Sequence, residues 1–231
     1  MRKLGLIGGM SWVSTRTYYE HLNRIVARRQ GGLASAPLLI ESLDFSRLAR
    51  LSTAEDWNRA AKILCASAKR LERAGAGALI IGANTMHKVY DEVAAAVGVP
   101  VLHIADCVGA RMQADKVGTA ALLGTATVMT GRFYRDRLIA HGVALLPPEG
   151  EDVAAIEPII YDELAQGKVT RAAERTLKTI ITNKEQDGAA AIVLACTELE
   201  LVVDVDANVL PIYDGTRIHA EAAAEWILGE E

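Results

Sequence analysis

The feature that most constrains this chain is an internal repeat. Leu6-Ile-Gly-Gly9 recurs as Leu122-Leu-Gly-Thr125, and Ala78-Leu-Ile-Ile-Gly-Ala-Asn-Thr85 as Ala191-Ile-Val-Leu-Ala-Cys-Thr-Glu198. Pro100-Val-Leu-His103 then recurs as Pro211-Ile-Tyr-Asp214, so the offsets along the chain are 116, 113 and 111 residues. A nearly constant offset across three separate segments means that one supersecondary unit is used twice.

Each repeated segment contains a short, continuous apolar run. Eight such runs are expected as strands: Leu4 to Ile7, Pro37 to Glu41, Ala78 to Ile81, Val101 to Ile104, Ala120 to Leu123, Val143 to Leu146, Ala189 to Leu194 and Val209 to Ile212. Runs without polar alternation, bounded by Gly, Pro or Asn, suit strands buried on both faces of a parallel sheet. Helical patterns lie between them. Ser52-Thr-Ala-Glu55 resembles a capping box before apolar positions Trp57, Ala60, Ile63, Leu64 and Ala68, and Thr130 precedes another expected helix. A third helix is expected from Val169 to Glu185, with Ala172, Leu177, Ile180 and Ile181 on its apolar face. The expected fold is α/β, with two pseudo-symmetric flavodoxin-like lobes, each a parallel sheet flanked by helices. The first lobe would take residues 1–104 plus 211–231 and the second 105–210, with an active site in the cleft between them.

Composition excludes several functions. The formal charge is −4, from 25 basic and 29 acidic residues, and the basic residues are scattered, so nucleic acid is not an expected partner. No run reaches the ~18 apolar residues of a membrane span, and the opening Met1-Arg-Lys-Leu-Gly-Leu-Ile-Gly-Gly9 reads as a first strand rather than a leader. Cys65, Cys107 and Cys196 are odd in number and lack Cys-x-x-Cys spacing, which favours reduced thiols and a cytoplasmic location. The five histidines form no metal-ligand pair, and no phosphate-binding glycine motif is present, so neither metal nor cofactor is expected.

Ligands of open parallel sheets collect beyond the carboxyl ends of the strands, where both repeated turns should lie. Cys196 ends an apolar run and precedes Thr197 and Glu198, which places its thiol beside polar groups and backbone N–H donors able to favour a thiolate. A buried structural thiol is the competing reading for that position alone. Asn84 and Thr85 could both cap a helix and donate to a substrate carboxylate. Met10 and Ser11 follow the first strand; Thr125 and Thr130 lie in or near the equivalent second-half loop. For Ser11 and the two threonines, helix capping competes with substrate contact. His87 lies one turn beyond Ala83, where a cleft-facing position and that of a solvent-facing or hydrogen-bonded helix histidine are both open.

Gly8-Gly-Met-Ser11, Asn84-Thr-Met-His87, Ala195-Cys-Thr-Glu198 and Ile218-His-Ala220 together resemble the signatures of the aspartate/glutamate racemase family. The resemblance spans nearly the whole chain and implies an isomerase that racemises a small, acidic amino acid without pyridoxal phosphate. It also implies two cysteines on opposite faces of the α-carbon, one removing a proton and the other returning one. Asn84, Thr85, Thr197 and N–H groups would hold the substrate carboxylate and stabilise the enediolate-like charge, with Met10, Ser11, Thr125 and Glu198 also expected to contact substrate. It further implies a homodimer, a distal-carboxylate partner from Arg47 or Lys168, and a supporting role for His219. This chain departs from the pattern at the first cysteine position, which is Ala83; the repeat independently pairs Ala83 with Cys196. A methyl group carries no proton, so two-way racemisation is expected to be impaired. A single-cysteine decarboxylase or isomerase of a small dicarboxylate, or a non-catalytic amino-acid-binding protein, are the alternatives.

Overall fold

The computed structural model describes residues 1–229. The chain divides into two compact units: Met1–His103 together with the stretch from His219 onward, and Ile104–Ile218. In the first unit, β1 (Leu4–Gly8), β2 (Leu38–Ser42), β3 (Ala78–Ile81) and β4 (Val101–Leu102) form a parallel sheet in the order β2-β1-β3-β4. Its helices are α1 (Trp12–Gln30), α2 (Ala54–Arg73) and α3 (Tyr90–Ala95).

The second unit opens with α4 (Ile104–Ala114) and contains β5 (Thr119–Gly124), α5 (Ala126–Thr130), α6 (Arg132–Ala140), β6 (Ala144–Leu145), α7 (Gly150–Pro158), α8 (Arg171–Gln186), β7 (Ile192–Ala195) and β8 (Ile212–Asp214). Its parallel sheet has the order β6-β5-β7-β8, the same as the first with each strand advanced by four. The last helix, α9 (Gly215–Leu228), carries the chain from the second unit back to the first. Because β8 pairs with β7, that return falls inside α9 at His219 and not at residue 211.

Register gives the repeat physical meaning. Leu6 pairs with Ile80 and Ile7 with Ile81 in one sheet; Leu122 pairs with Val193 and Leu123 with Leu194 in the other. Successive side chains of a strand point to opposite faces. Leu4, Leu6, Ala78 and Ile80 accordingly enter one core of the first unit, while Ile7, Leu79 and Ile81 enter the other. Ala121, Leu123, Ile192 and Leu194 likewise lie opposite Ala120, Leu122, Ala191 and Val193 in the second. Each central strand is covered on both sides, which explains why its sequence is uniformly apolar.

All eight expected strands form, β3 with the expected ends and the others with shifted ones. Ile104 begins α4 instead of extending β4, and the last strand starts at Ile212 because 209 and 210 precede the ladder. The capping box is one residue later than expected: Thr53 Oγ1 accepts from the Asp56 N–H at 3.1 Å, and the Asp56 carboxylate accepts from the Thr53 N–H at 3.1 Å. Ala173, not Ala172, joins Leu177, Ile180 and Ile181 on the buried stripe of α8, as helical spacing from Leu177 requires. Thr130 closes α5 and, as expected, precedes a helix, α6, and its hydroxyl donates to the Ala126 carbonyl at 2.8 Å. Among the described residues, no helix is long and apolar enough to cross a membrane.

Ile80 is fully buried at the centre of its sheet. Ile80→Ala should cost ~2–5 kcal/mol through lost burial and a residual cavity. Urea unfolding would measure this as a lower midpoint with an unchanged slope.

Candidate active site

In the first unit, the strand-end loops begin with a turn that only glycine accommodates. Gly9 has φ +83°, and a Cβ there would run into the Leu43 backbone. Its N–H donates to Thr15 Oγ1 at 2.7 Å, fixing the approach to Met10 and Ser11, which are both buried. Ser11 caps α1, its hydroxyl accepting from the Ser14 N–H at 3.4 Å.

The adjoining loop follows β3. Ala83 is buried at the position corresponding to Cys196, and Asn84 is only 2% exposed. Neither polar atom of the Asn84 side chain has a hydrogen-bond partner in the protein. Burying an unsatisfied amide costs roughly 1–3 kcal/mol. That cost is expected where a side chain is held for a ligand. Thr85 is half-buried and opens a short 3-10 turn, Thr85–Val89.

Three of the five histidines gather behind this loop. His87 is buried and its Nδ1–H donates to the Ala83 carbonyl oxygen at 2.9 Å; a carbonyl can only accept, so Nδ1 carries the proton. Its ring centroid lies 4.5 Å from that of His103 and 5.8 Å from that of His219, and it stacks on Tyr90. His219 is fully buried: Tyr18 Oη donates to its Nδ1 at 2.9 Å, and its Nε2–H donates to the Leu102 carbonyl at 3.1 Å. Burial foremost, then the neighbouring His87, lower its pKa to about 3. His219 is therefore a neutral structural connector at physiological pH.

In the second unit, Cys196 emerges just beyond β7 and is 7% exposed. Its Sγ–H donates to Glu198 Oε2 at 3.1 Å, and Thr197 Oγ1 donates to the same oxygen at 2.7 Å. The expected backbone N–H groups are present, from Glu198 and Leu199. Burial and the Glu198 charge outweigh them, however, and raise the thiol pKa well above its ordinary value. Cys196 is consequently held as a protonated thiol, not the thiolate expected from N–H donors. Thr125 is buried at the start of α5, beyond the strand that pairs with β7.

The two predicted cations differ from these residues. Arg47 is exposed in the turn Phe45–Arg47 after β2, and Lys168 is exposed with its Nζ donating to Gln166 Oε1 at 3.0 Å. Neither hydrogen-bonds to Asn84 or Cys196. Sequence reasoning missed Tyr18, Tyr90 and His103 around His87 and His219. It also missed Asp214, whose Oδ1 accepts from the Thr216 N–H at 2.9 Å and the Arg217 N–H at 3.2 Å to open α9. The signal was present in the repeat, which matches His103, one residue beyond β4, with Asp214, the last residue of β8. Of the other thiols, burial pushes Cys107 up to about 12, while Cys65 donates to the Glu92 carbonyl at 3.4 Å. Among the described residues, no group of three or more His, Cys, Asp or Glu side chains is arranged to hold a metal ion.

Two copies of one parallel α/β unit, with a thiol and polar side chains at the carboxyl ends of the strands, define an α/β protein of the class whose ligands gather at strand-end loops. The profile of the Asp/Glu/hydantoin racemase family matches residues 7–223, and the chain belongs to that family. It is 40% identical to a candidate Asp/Glu racemase from Yersinia pestis, with a TM-score of 0.89, over 99% of this chain and 100% of that one. An aspartate racemase homologue from Pyrococcus horikoshii is 33% identical with a TM-score of 0.84, again over 99% and 100% of the two chains. The broad specificity amino-acid racemase RacX of Bacillus subtilis is 24% identical over 173 residues, covering 75% of this chain and 74% of RacX.

Two measurements follow from the electrostatics. His219 binds a proton more weakly when folded than when unfolded, so acidification from pH 6.5 toward 3 favours the unfolded state. The loss attributable to His219 should approach ~1.4 kcal/mol per pH unit. His219→Asn should flatten the pH dependence of the urea midpoint by that amount; equal slopes would rule out this assignment. Separately, Glu198→Gln removes a charge that raises the Cys196 pKa, so iodoacetamide should label Cys196 faster at pH 8. Peptide mass spectrometry distinguishes this cysteine from Cys65 and Cys107.

Proposed function

We propose that the protein is an isomerase-type enzyme acting at the α-carbon of a small, acidic amino acid, with Cys196 as its acid/base. The observation that carries this reading is the Cys196–Glu198 contact, a buried thiol donating to a carboxylate across 3.1 Å. As the thiol, Cys196 donates a proton to an enediolate-like α-carbon. To act in the opposite direction it first passes its proton to Glu198, leaving a thiolate that removes the α-hydrogen. Thr197 holds the shared Glu198 oxygen in place. Asn84 and Thr85 are assigned to the substrate α-carboxylate, and the unpartnered Asn84 amide supports this. Met10, Ser11 and Thr125 complete the proposed binding set, with Arg47 or Lys168 serving the distal carboxylate.

Ala83 limits this chemistry. Inversion requires proton transfer on both faces of the α-carbon, and Ala83 offers no transferable proton at the position matching Cys196. One-sided exchange with retention is therefore the expected activity. A second reading, decarboxylation or isomerisation of a small dicarboxylate, is favoured by one observation: Cys196 is held protonated, the state that such a reaction needs for its final protonation.

Proton NMR of each enantiomer of aspartate and glutamate in D₂O, with chiral analysis of the same samples, tests the first reading. α-Deuteration of one enantiomer with little inversion is expected. Cys196→Ser should reduce exchange by ~10²- to 10⁴-fold, the usual effect of removing an acid/base. Ala83→Cys should increase inversion. Absence of exchange with all four compounds would reject the amino-acid reading, and carbon dioxide release from a malonate-type diacid would establish the second.

A further inference from the structure

Asn84 presents a buried amide without an internal partner, so something other than its side chain must set its direction. Both peptide groups flanking its Cα are bonded to one residue. The Ala83 carbonyl accepts from His87 Nδ1–H at 2.9 Å, and the Asn84 carbonyl accepts from the His87 backbone N–H at 3.1 Å. These bonds fix the orientations of the peptide planes on either side of Asn84, hence its φ of −58° and ψ of −48° and the direction of its Cα–Cβ bond. The ring that makes the first bond is itself confined. His103 meets it edge-on with centroids 4.5 Å apart, Tyr90 stacks at 6.3 Å with an interplanar angle of 10°, and His219 lies 5.8 Å away.

We propose that His87 is a positioning residue, one that acts on substrate through Asn84 by clamping both peptides around it. The inference rests on the reading of Asn84 as a carboxylate-binding group, but the clamp is a property of the ligand-free protein and can be tested there. Ala83 has no side-chain hydrogen-bonding group to anchor its own loop, so the constraint comes from behind the loop. A confined amide does not have to be ordered when a carboxylate binds, which lowers the cost of binding.

The clamp requires the proton on Nδ1, and a neutral imidazole carries it on only one nitrogen. Imidazole ¹⁵N shifts of the unaltered protein at pH 7.5 should therefore show His87 with Nδ1 protonated. A neutral Nε2–H tautomer would overturn the proposal, even if every substitution at this position failed to fold. Two variants then separate the donor from the bulk of the ring. His87→Leu removes the donor, whereas His87→Asn retains one at the i to i−4 spacing over which Asn23 Nδ2 reaches the Tyr19 carbonyl at 2.8 Å.

In ligand-free protein labelled with ¹⁵N-asparagine, the Asn84 side-chain NH₂ pair should be single and sharp in the parent. It should broaden or split in His87→Leu and recover in His87→Asn. Unchanged Asn84 signals in His87→Leu, or equal disturbance in both variants, would overturn the clamp. For a substrate that the parent exchanges, His87→Leu should raise KM roughly 10-fold with a smaller change in kcat, as expected for loss of binding shared by ground and transition states, and His87→Asn should restore KM. Failure of the parent to exchange any amino acid would reject the proposed function and leave the NMR result standing as a test of the clamp. A fall in kcat at constant KM would overturn positioning through Asn84.

Discussion

Burial of the central strands on both faces is the constraint on which the rest of this structure depends. Leu6 and Ile80 enter one core of the first unit while Ile7 and Ile81 enter the other, and the second unit repeats this arrangement. A strand with two covered faces has no free face for polar chemistry. Polar side chains appear where the ladder ends, so Ser11, Asn84, Thr125 and Cys196 all fall just beyond strands. The catalytic potential of the chain is thus concentrated by the same packing that stabilises it.

Within that frame the two units have diverged in chemistry while keeping their register. In the second, a thiol shares a carboxylate oxygen with a threonine, and burial keeps the thiol protonated. In the first, the matching position is a methyl group, and the polar investment lies behind the loop in three buried imidazoles and two tyrosines. The two units therefore differ at matched strand-end positions, with a thiol at Cys196 and a methyl group at Ala83.

Family membership and the structural likenesses agree with the repeat, but they do not specify the role of any single residue. Those roles come from local physics: an unpartnered amide at Asn84, the short contact between Cys196 and Glu198, and the neutral imidazole of His219. Arg47 and Lys168 illustrate the converse. Both match segments expected to serve a distal carboxylate, yet both are solvent-exposed and lack a bond to the buried polar residues.

The sequence by itself determined the α/β class, the eight strands, the twofold repeat and the pairing of Ala83 with Cys196. It could do so because apolar runs and turn residues are local signals, and because a repeat carries register within it. It did not fix strand ends, the Thr53–Asp56 box or the buried edge of α8, where a shift of one residue changes burial without changing composition. Only the tertiary structure decided that Cys196 is a protonated thiol, that Asn84 lacks an internal partner, and that His87, His103 and His219 meet. The reason is physical: a pKa or an unsatisfied amide depends on which distant groups are brought near and how much water is excluded. Neither quantity is carried by the residues taken one at a time.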